Sequence, residues 1–263
     1  MSQDFEYWYS KGYKRFYFTD SLLLLNKKRI IDFCKYIIEY AYKDVNFTAD
    51  GVRADHLTFE ILQYMKNAHF KSLTIGVESI NDETLRFFEK NETFSQIDSA
   101  ISMADSLGFD ITLYFIVGAP TDAYSDVIKS IKYPLKYKHI VSAVVSKLTP
   151  IRGTSYYNYA IDNDLVVNKS VFYPKHETYG HNERIDNNNS VEVIWNAVYP
   201  SIEKMSEFLI TRSQINRLFN AIGFHNLKVA QLNLLTYFAL NPIVELLVIS
   251  PMRIVKSLLS LKK

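Results

Sequence analysis

The stretch from Thr74 to Pro120, TIGVESINDETLRFFEKNETFSQIDSAISMADSLGFDITLYFIVGAP, contains one full unit of a plan that the rest of the chain repeats. It opens on a short run of apolar and β-branched residues ending at Val77, and Glu78 stands where that run gives out. Ser95 then precedes QIDSAISMADSLG, whose apolar residues recur with helical period and which stops at Gly108 in a C-cap position. A second apolar run, ITLYFIV, ends at Val117 and passes directly into Gly118-Ala119-Pro120. Strand, helix, strand in this order is a βαβ unit, in which the two strands lie parallel.

Outward from this unit the same alternation continues. RFYFT ends at Thr19, VNFTA at Ala49 and VSAVVSK at Lys147, while Asn26 and Asp55 stand as helix starts before KKRIIDFCKYIIEYAY and HLTFEILQYMKNA. The strand runs are short and nearly continuous in apolarity, which predicts parallel strands buried on both faces. Five βα units without a G-x-G-x-x-G turn predict an α/β fold of partial TIM-like (β/α) barrel type rather than a doubly wound sheet. The chain opens with a helix-like stretch, SQDFEYWYSKG, where a barrel normally opens with a strand, so the expectation is that a first strand and its loop are missing and that the first strand present has an unpaired edge. Residues 1–160 form the predicted partial barrel and 161–263 a divergent, mainly helical C-terminal region. In the latter, HNERIDNNNS is a polar loop and Val191 to Ile222 reads as one or two helices. The tail NPIVELLVISPMRIVKSLLSLKK is broken by Glu245, Pro251 and Arg253 and falls short of the ~20 apolar residues of a membrane span. It reads as a helix packed on the domain or a partner, with an amphipathic membrane-surface helix as the alternative.

Composition narrows the function classes. With 263 residues, 48% hydrophobic and 14% aromatic, the chain has ample material for a core. Thirty basic residues against 28 acidic ones leave a net charge of +2, scattered rather than striped, which argues against a nucleic-acid partner. The single cysteine, Cys34, lies in an apolar helical pattern and reads as a small buried hydrophobe, and the default is a reducing compartment. The N-terminus MSQDFEYWYSKG has no apolar core of a signal peptide, so a cytoplasmic location is expected.

In a parallel βα barrel the ligand site lies past the C-terminal ends of the strands. The residues there are Asp20 and Ser21, Asp50 and Arg53, Glu78 and Ser79, Gly118 to Pro120, and Thr149, Pro150, Arg152 and Gly153. Carboxylates at three strand ends and Gly and Pro pairs exposing backbone polar groups at two suit a ligand rich in hydroxyl and amino groups. Each has a plainer reading: Asp20 as a helix cap, Arg53 as the surface partner of Asp50 or Asp55, and the GAP segment as a turn. Glu78 is harder to dismiss, because Glu is a poor strand former and a buried carboxylate must be met by Arg53, by backbone donors or by ligand hydroxyls. No metal site is predicted: His176 and His181 are five apart in a polar loop, with no H-x-x-x-H or H-E-x-x-H pattern. There is no G-x-S-x-G or phosphate loop, and no catalytic residue is assigned.

The run from FYFTDSLLLLNKKRI through VRADHLTFEILQYMKNAHFKSLTIGVESINDETLRFFEKNETFSQIDSAISMADSLGFDITLYFIVGAPTD to LTPIRGTSYY resembles the radical S-adenosylmethionine (SAM) superfamily, over roughly Phe16 to Ala160. It is most similar to the group whose members often carry a cobalamin-binding domain ahead of the barrel. The resemblance implies that Glu78, with Ser79 beside it, lies by the SAM ribose, that Asp20 stands where the family's second strand passes the methionine amino group, and that the backbone of Val117 to Pro120 lies near the adenine. Arg53 matches a recurrent Arg after the third strand, and Pro150 begins the family's Pro-x-x-Gly-Thr turn closing the sixth. The family's CxxxCxxC loop, whose three thiolates hold a [4Fe-4S] cluster and leave one iron for SAM, has no counterpart here. His69 stands where a Gly is usual before the third run, and Ile80 replaces a small residue after Val77-Glu78-Ser79.

The residues and the resemblance leave two readings. In the first, the chain is the SAM-binding barrel portion of a radical SAM enzyme acting on a small-molecule substrate, inactive alone, with the cluster, and cobalamin if used, held by a separate upstream polypeptide or segment. The resemblance implies reductive cleavage of SAM to a 5′-deoxyadenosyl radical, or methyl transfer. In the second, it is a degenerate, non-catalytic barrel that binds a nucleoside-like ligand or a protein.

Overall fold

The computed structural model describes residues 1–20, 23–163, 191–221 and 227–240. Five strands, β1 (Arg15–Phe18), β2 (Asn46–Val52), β3 (Phe70–Glu78), β4 (Asp110–Val117) and β5 (Ile140–Lys147), form one sheet in the order β1-β2-β3-β4-β5, every neighbouring pair parallel. Because chain order equals spatial order, the crossover helices never switch sides of the sheet. That is the arrangement of a barrel wall, as the sequence predicted, and among the described residues β1 and β5 are its two edges.

Burial shows the same asymmetry and corrects one expectation. β4 alternates strictly, with Ile111, Leu113, Phe115 and Val117 buried and Thr112, Tyr114 and Ile116 half-buried. Successive side chains of a strand point to opposite faces, so the apolar set, with Phe47, Ala49, Leu73, Ile75 and Val77, packs under the helices. The other, inner face carries Thr48, Asp50, Thr74, Gly76, Glu78, Thr112 and Tyr114. Thr and Tyr are strand formers, and for that reason the runs read as continuously core-like although one of their faces is polar.

The helices covering the apolar face are α1 (Ser2–Ser10), α2 (Lys27–Glu39), α3 (Phe59–Asn67), α5 (Phe94–Ser106) and α6 (Tyr124–Lys132); a shorter α4 (Asp82–Phe87) follows β3 directly. Asn26 caps α2 as expected, accepting from the Arg29 N–H. The other two starts differ from expectation. Thr58, not Asp55, caps α3, since the Asp55 carboxylate and N–H are both engaged elsewhere. Thr93, not Ser95, opens α5, because Gln96 three residues on completes a reciprocal capping box. His69 takes a left-handed φ of 66°, which is why Gly would suit that position. Cys34 is fully buried and its thiol is pushed up to about 12 by burial, the behaviour of a core residue rather than a reactive one.

After β5 the chain forms α7 (Ser155–Asp162), and further on α8 (Val191–Ala221) and α9 (Val229–Ala239). Val191 to Ala221 is one helix. Its Ile202, Met205 and Leu209 join the sheet's core, and the fully buried Arg212 donates to the carbonyls of Pro134, Leu135 and Ile140 and to Asn233 Oδ1. Burial lowers this guanidinium's pKa to about 10. No described helix is long and apolar enough to cross a membrane. Ser21, His176, His181, the HNERIDNNNS loop and the apolar tail from Asn241 lie outside the described residues.

Candidate functional site

Two irregularities shape the C-terminal rim of the sheet. On β2 the register with β3 shifts between Ala49 and Val52, with Gly51 at φ 65°, so Asp50 lies inside a bulged strand rather than after it. On β3 the register with β4 shifts between Gly76 and Glu78, and Glu78 itself has φ 64°. A non-glycine residue held in the left-handed region costs about 1–3 kcal/mol and persists only where its surroundings fix it; bulges of this kind re-aim side chains. The Ser79 N–H closes the turn onto the Val77 carbonyl at 2.8 Å. The Glu78 carboxylate folds back over Gly76: a Cβ at Gly76 would sit 2.4 Å from Glu78 Oε1.

The cation facing Glu78 is Lys90, not Arg53. Lys90 Nζ lies 3.4 Å from Glu78 Oε1 and 3.4 Å from Glu92 Oε2, with side-chain exposures of 9%, 23% and 0% for Lys90, Glu78 and Glu92. Glu92 Oε1 accepts the Asp55 N–H at 2.6 Å. Arg53 grips Asp55 through Nε and Nη2 at 3.1 and 2.8 Å and donates from Nη2 to the Lys90 carbonyl at 3.2 Å. One buried ammonium thus serves two carboxylates. Burial raises the Glu78 pKa above its ordinary value and Glu92 adds to this, while Lys90 opposes both. The hydrogen bonds from Arg53 hold Asp55 below its ordinary value.

On β4 the rim is fixed differently. Asp122 Oδ2 accepts the N–H groups of Gly118 and Ala119 at 2.8 and 3.1 Å, and Asp122 Oδ1 accepts from the Thr84 hydroxyl at 3.1 Å. The turn's two N–H groups are therefore met by a side chain of the turn itself; burial holds the Asp122 pKa up. Ser79 is likewise engaged, its hydroxyl accepting the Asn81 N–H at 3.1 Å. At the sheet's edges, Asp20 follows β1 and pairs with Arg29 at 3.0 Å, and the buried Pro150 follows β5 while Pro120 is exposed. α4 and α7 brace the rim through Phe87, whose ring centroid is 5.7 Å from that of Tyr156 and 6.2 Å from that of Tyr159.

The fold therefore gathers Arg53, Glu78 and Ser79 on neighbouring strand ends with Gly118 next along the rim. Asp20 and Pro150 stand on the outer strands. Sequence reasoning missed Lys90, Glu92 and Asp122. The first two sit in FFEKNET, where nothing in the spacing distinguishes a charge turned inward from one in water. Asp122 stands three residues after Ala119, a distance at which an Asp side chain reaches back to turn N–H groups, and that signal was readable.

What could this rim hold? Asp50 Oδ1 is buried without a hydrogen-bond partner, and Glu78 shares one cation with a second carboxylate. Unmet acceptors fit a ligand that brings hydroxyl or amino donors, as S-adenosylmethionine does. An iron–sulfur cluster held by three thiolates does not fit: the chain's one cysteine is on α2, and no described group of three or more His, Cys, Asp or Glu is placed to hold a metal.

The model of the radical SAM superfamily matches residues 3–133. The chain belongs to the radical SAM superfamily. An uncharacterized methyltransferase of Pyrococcus horikoshii is 31% identical to this radical SAM chain over 159 residues, 60% of the chain and 34% of the relative. An uncharacterized protein of Methanocaldococcus jannaschii is 23% identical over 198 residues, covering 74% of the chain and 43% of that protein. The chain thus spans between a third and a half of the curated relatives it matches. Among solved structures, the cobalamin-dependent S-adenosylmethionine radical enzyme OxsB with aqua-cobalamin bound superposes with a TM-score of 0.51 at 12% identity, over 86% of this chain and 40% of that one. That likeness is one of fold.

Proposed function

We propose that this radical SAM chain binds S-adenosylmethionine at the C-terminal rim of its sheet, as the cofactor-binding portion of an enzyme that performs methyl transfer or radical chemistry on a small molecule. The observation that carries the reading is Glu78: a carboxylate at the end of the central strand, in a strained backbone conformation, largely buried and short of donors. When bound, S-adenosylmethionine supplies a transferable methyl or adenosyl group. The chain's residues hold and orient it. Glu78 accepts from ribose hydroxyls, the turn at Gly118 fixed by Asp122 provides a rigid wall, and Asp50 offers an acceptor on the inner face. The three thiolates for a cluster are not among this chain's residues, so in this reading the cluster, and cobalamin if it is used as in OxsB, is held by residues outside it.

Isothermal titration of the chain with S-adenosylhomocysteine tests this reading. Saturable binding at one site supports it, and no heat of binding up to millimolar ligand overturns it. A second reading, a non-catalytic nucleoside- or protein-binding module, is favoured by the single cysteine. Reconstitution with a cluster-bearing polypeptide, sought in the reading frame upstream, separates the two: 5′-deoxyadenosine or a methylated product supports the enzyme portion, and binding without turnover supports the module.

A further inference from the structure

Among the described residues, three buried side-chain atoms have no hydrogen-bond partner: Asp50 Oδ1, Glu92 Oε2 and His139 Nδ1. Two of them still face an ionisable group of opposite sign, since Glu92 Oε2 lies 3.4 Å from the Lys90 ammonium and His139 Nδ1 lies 3.3 Å from Asp105 Oδ1. Asp50 has neither a hydrogen bond nor an ion pair among these residues. It lies on the inner face, below the rim. The register of Ala49 with Leu73 sets it level with Thr74, four residues before Glu78 on the central strand. At ~3.3 Å per residue that is about 13 Å along the strand from the Glu78 backbone. Tyr17, opposite Thr48 on β1, and Tyr114, opposite Gly76 on β4, share this face. The cations nearby are committed elsewhere, Arg53 to Asp55 and Lys90 to Glu78 and Glu92. Arg15, on the same face at the start of β1, is exposed and forms no ion pair with Asp50.

A carboxylate drawn out of water with neither donors nor a counter-charge is costly, and what relieves the cost must come from a bound molecule. A hydroxyl would meet the hydrogen-bonding need and leave the charge unbalanced. An organic cation meets both. The flanking rings point the same way: burial raises the Tyr114 pKa, and the charge of Asp50 adds to this, so the ring stays a neutral phenol. Neutral aromatic rings attract cations through their electron-rich faces. We infer that Asp50, with Tyr17 and Tyr114 on the same face, binds a basic nitrogen, an ammonium or guanidinium, of the small molecule on which the enzyme acts. This rests on the reading of the chain as the binding portion of such an enzyme. Glu78 and the Gly118 turn hold the cofactor at the rim, and the acceptor at Asp50, deeper on the inner face, serves the second reactant. The cofactor's own amino group is the other source of such a cation, and the experiment separates the two.

The test uses benzylamine as the cation and benzyl alcohol as its neutral counterpart, each titrated calorimetrically into the parent protein and Asp50→Asn, with and without saturating S-adenosylhomocysteine. The parent should bind the amine at least about tenfold more tightly than the alcohol, as a charge-assisted hydrogen bond requires, and Asp50→Asn should abolish that preference. Equal binding of the two probes by the parent, or a preference that survives Asp50→Asn, overturns the inference. S-adenosylhomocysteine itself should lose less affinity to Asp50→Asn than benzylamine does; an equal or larger loss assigns the acceptor to the cofactor's amino group and also overturns it. Asp50→Asn removes a charge that nothing in the protein balances, so it should melt no lower than the parent, and a lower melting temperature marks the carboxylate as structural. If the variant does not fold, parent crystals soaked in benzylamine decide: the nitrogen within hydrogen-bond distance of Asp50 supports the site, and a probe bound elsewhere refutes it. Should S-adenosylhomocysteine fail to bind the parent while benzylamine binds through Asp50, the cofactor reading falls and the cation site stands.

Discussion

Glu78→Gln separates a binding role from a structural one because the two push stability and affinity in different directions. The Glu78 pKa is raised in the folded protein above the ordinary 4.5, chiefly by burial. A carboxyl group whose folded pKa lies above its unfolded value binds its proton more tightly when folded. Its contribution to stability is therefore full below the unfolded pKa and is lost as pH rises through the folded pKa. At neutral pH the ionised Glu78 is a net cost, offset in part by Lys90 at 3.4 Å, which is longer than a good charge-assisted hydrogen bond. Gln keeps the shape and removes the charge, leaving Lys90 to pair with Glu92 alone. The expected change in unfolding free energy at pH 7 is within about 1 kcal/mol, and any advantage of Gln over Glu disappears as the pH is lowered past the unfolded pKa. Ligand affinity behaves otherwise: loss of a charged acceptor for hydroxyl donors is worth about 1.5–3 kcal/mol, or roughly tenfold to a hundredfold in Kd. Urea unfolding at pH 4 and pH 7, together with calorimetric titration of S-adenosylhomocysteine, measures both quantities. A variant that loses 2 kcal/mol or more of stability at pH 7 while binding as tightly as the parent would refute the reasoning.

Other parts of the structure carry three further expectations. Asp122→Ala leaves the Gly118 and Ala119 N–H groups without their acceptor and should cost about 2–4 kcal/mol in urea unfolding, with weaker S-adenosylhomocysteine binding; unchanged stability would show that the turn holds itself. Arg212→Met strands the carbonyls of Pro134, Leu135 and Ile140 and should destabilise the protein by about 2–4 kcal/mol in a single transition, whereas loss of only the α8 and α9 signal would mean that these helices fold apart from the sheet. Anaerobic reconstitution of this chain alone with iron and sulfide should give no stable cluster absorbance and no 5′-deoxyadenosine, since its one thiol is buried on α2; stoichiometric cluster formation would contradict this.

The order of the five strands was legible because parallel neighbours need crossovers, and each crossover carried its own helical period and stop signal, as at Gly108. The polarity of the inner face was not, since Thr48, Thr112 and Tyr114 are favourable strand residues whichever face they occupy. Helix starts misjudged at Asp55 and Ser95 share a cause: local capping chemistry yielded to tertiary demand at Asp55, and to a better local partner, Gln96, at Thr93. Glu78 could be singled out from sequence because a charge ending a buried strand is costly wherever it points. Lys90 and Glu92 could not, because their inward orientation is decided by the Gly76 gap and the Arg53 to Lys90 carbonyl bond, contacts between residues far apart in the chain.

The central claim is that S-adenosylmethionine is held on the inner face at the strand ends, with Glu78 as its acceptor. Crystals of the chain grown with S-adenosylhomocysteine test it most directly. The expected map shows the nucleoside beside β3, a ribose hydroxyl within hydrogen-bond distance of Glu78, and the Lys90 ammonium still seated between Glu78 and Glu92. Ligand density on the helical face, or a ligand on the rim with the Glu78 carboxylate turned away from it, would contradict the account.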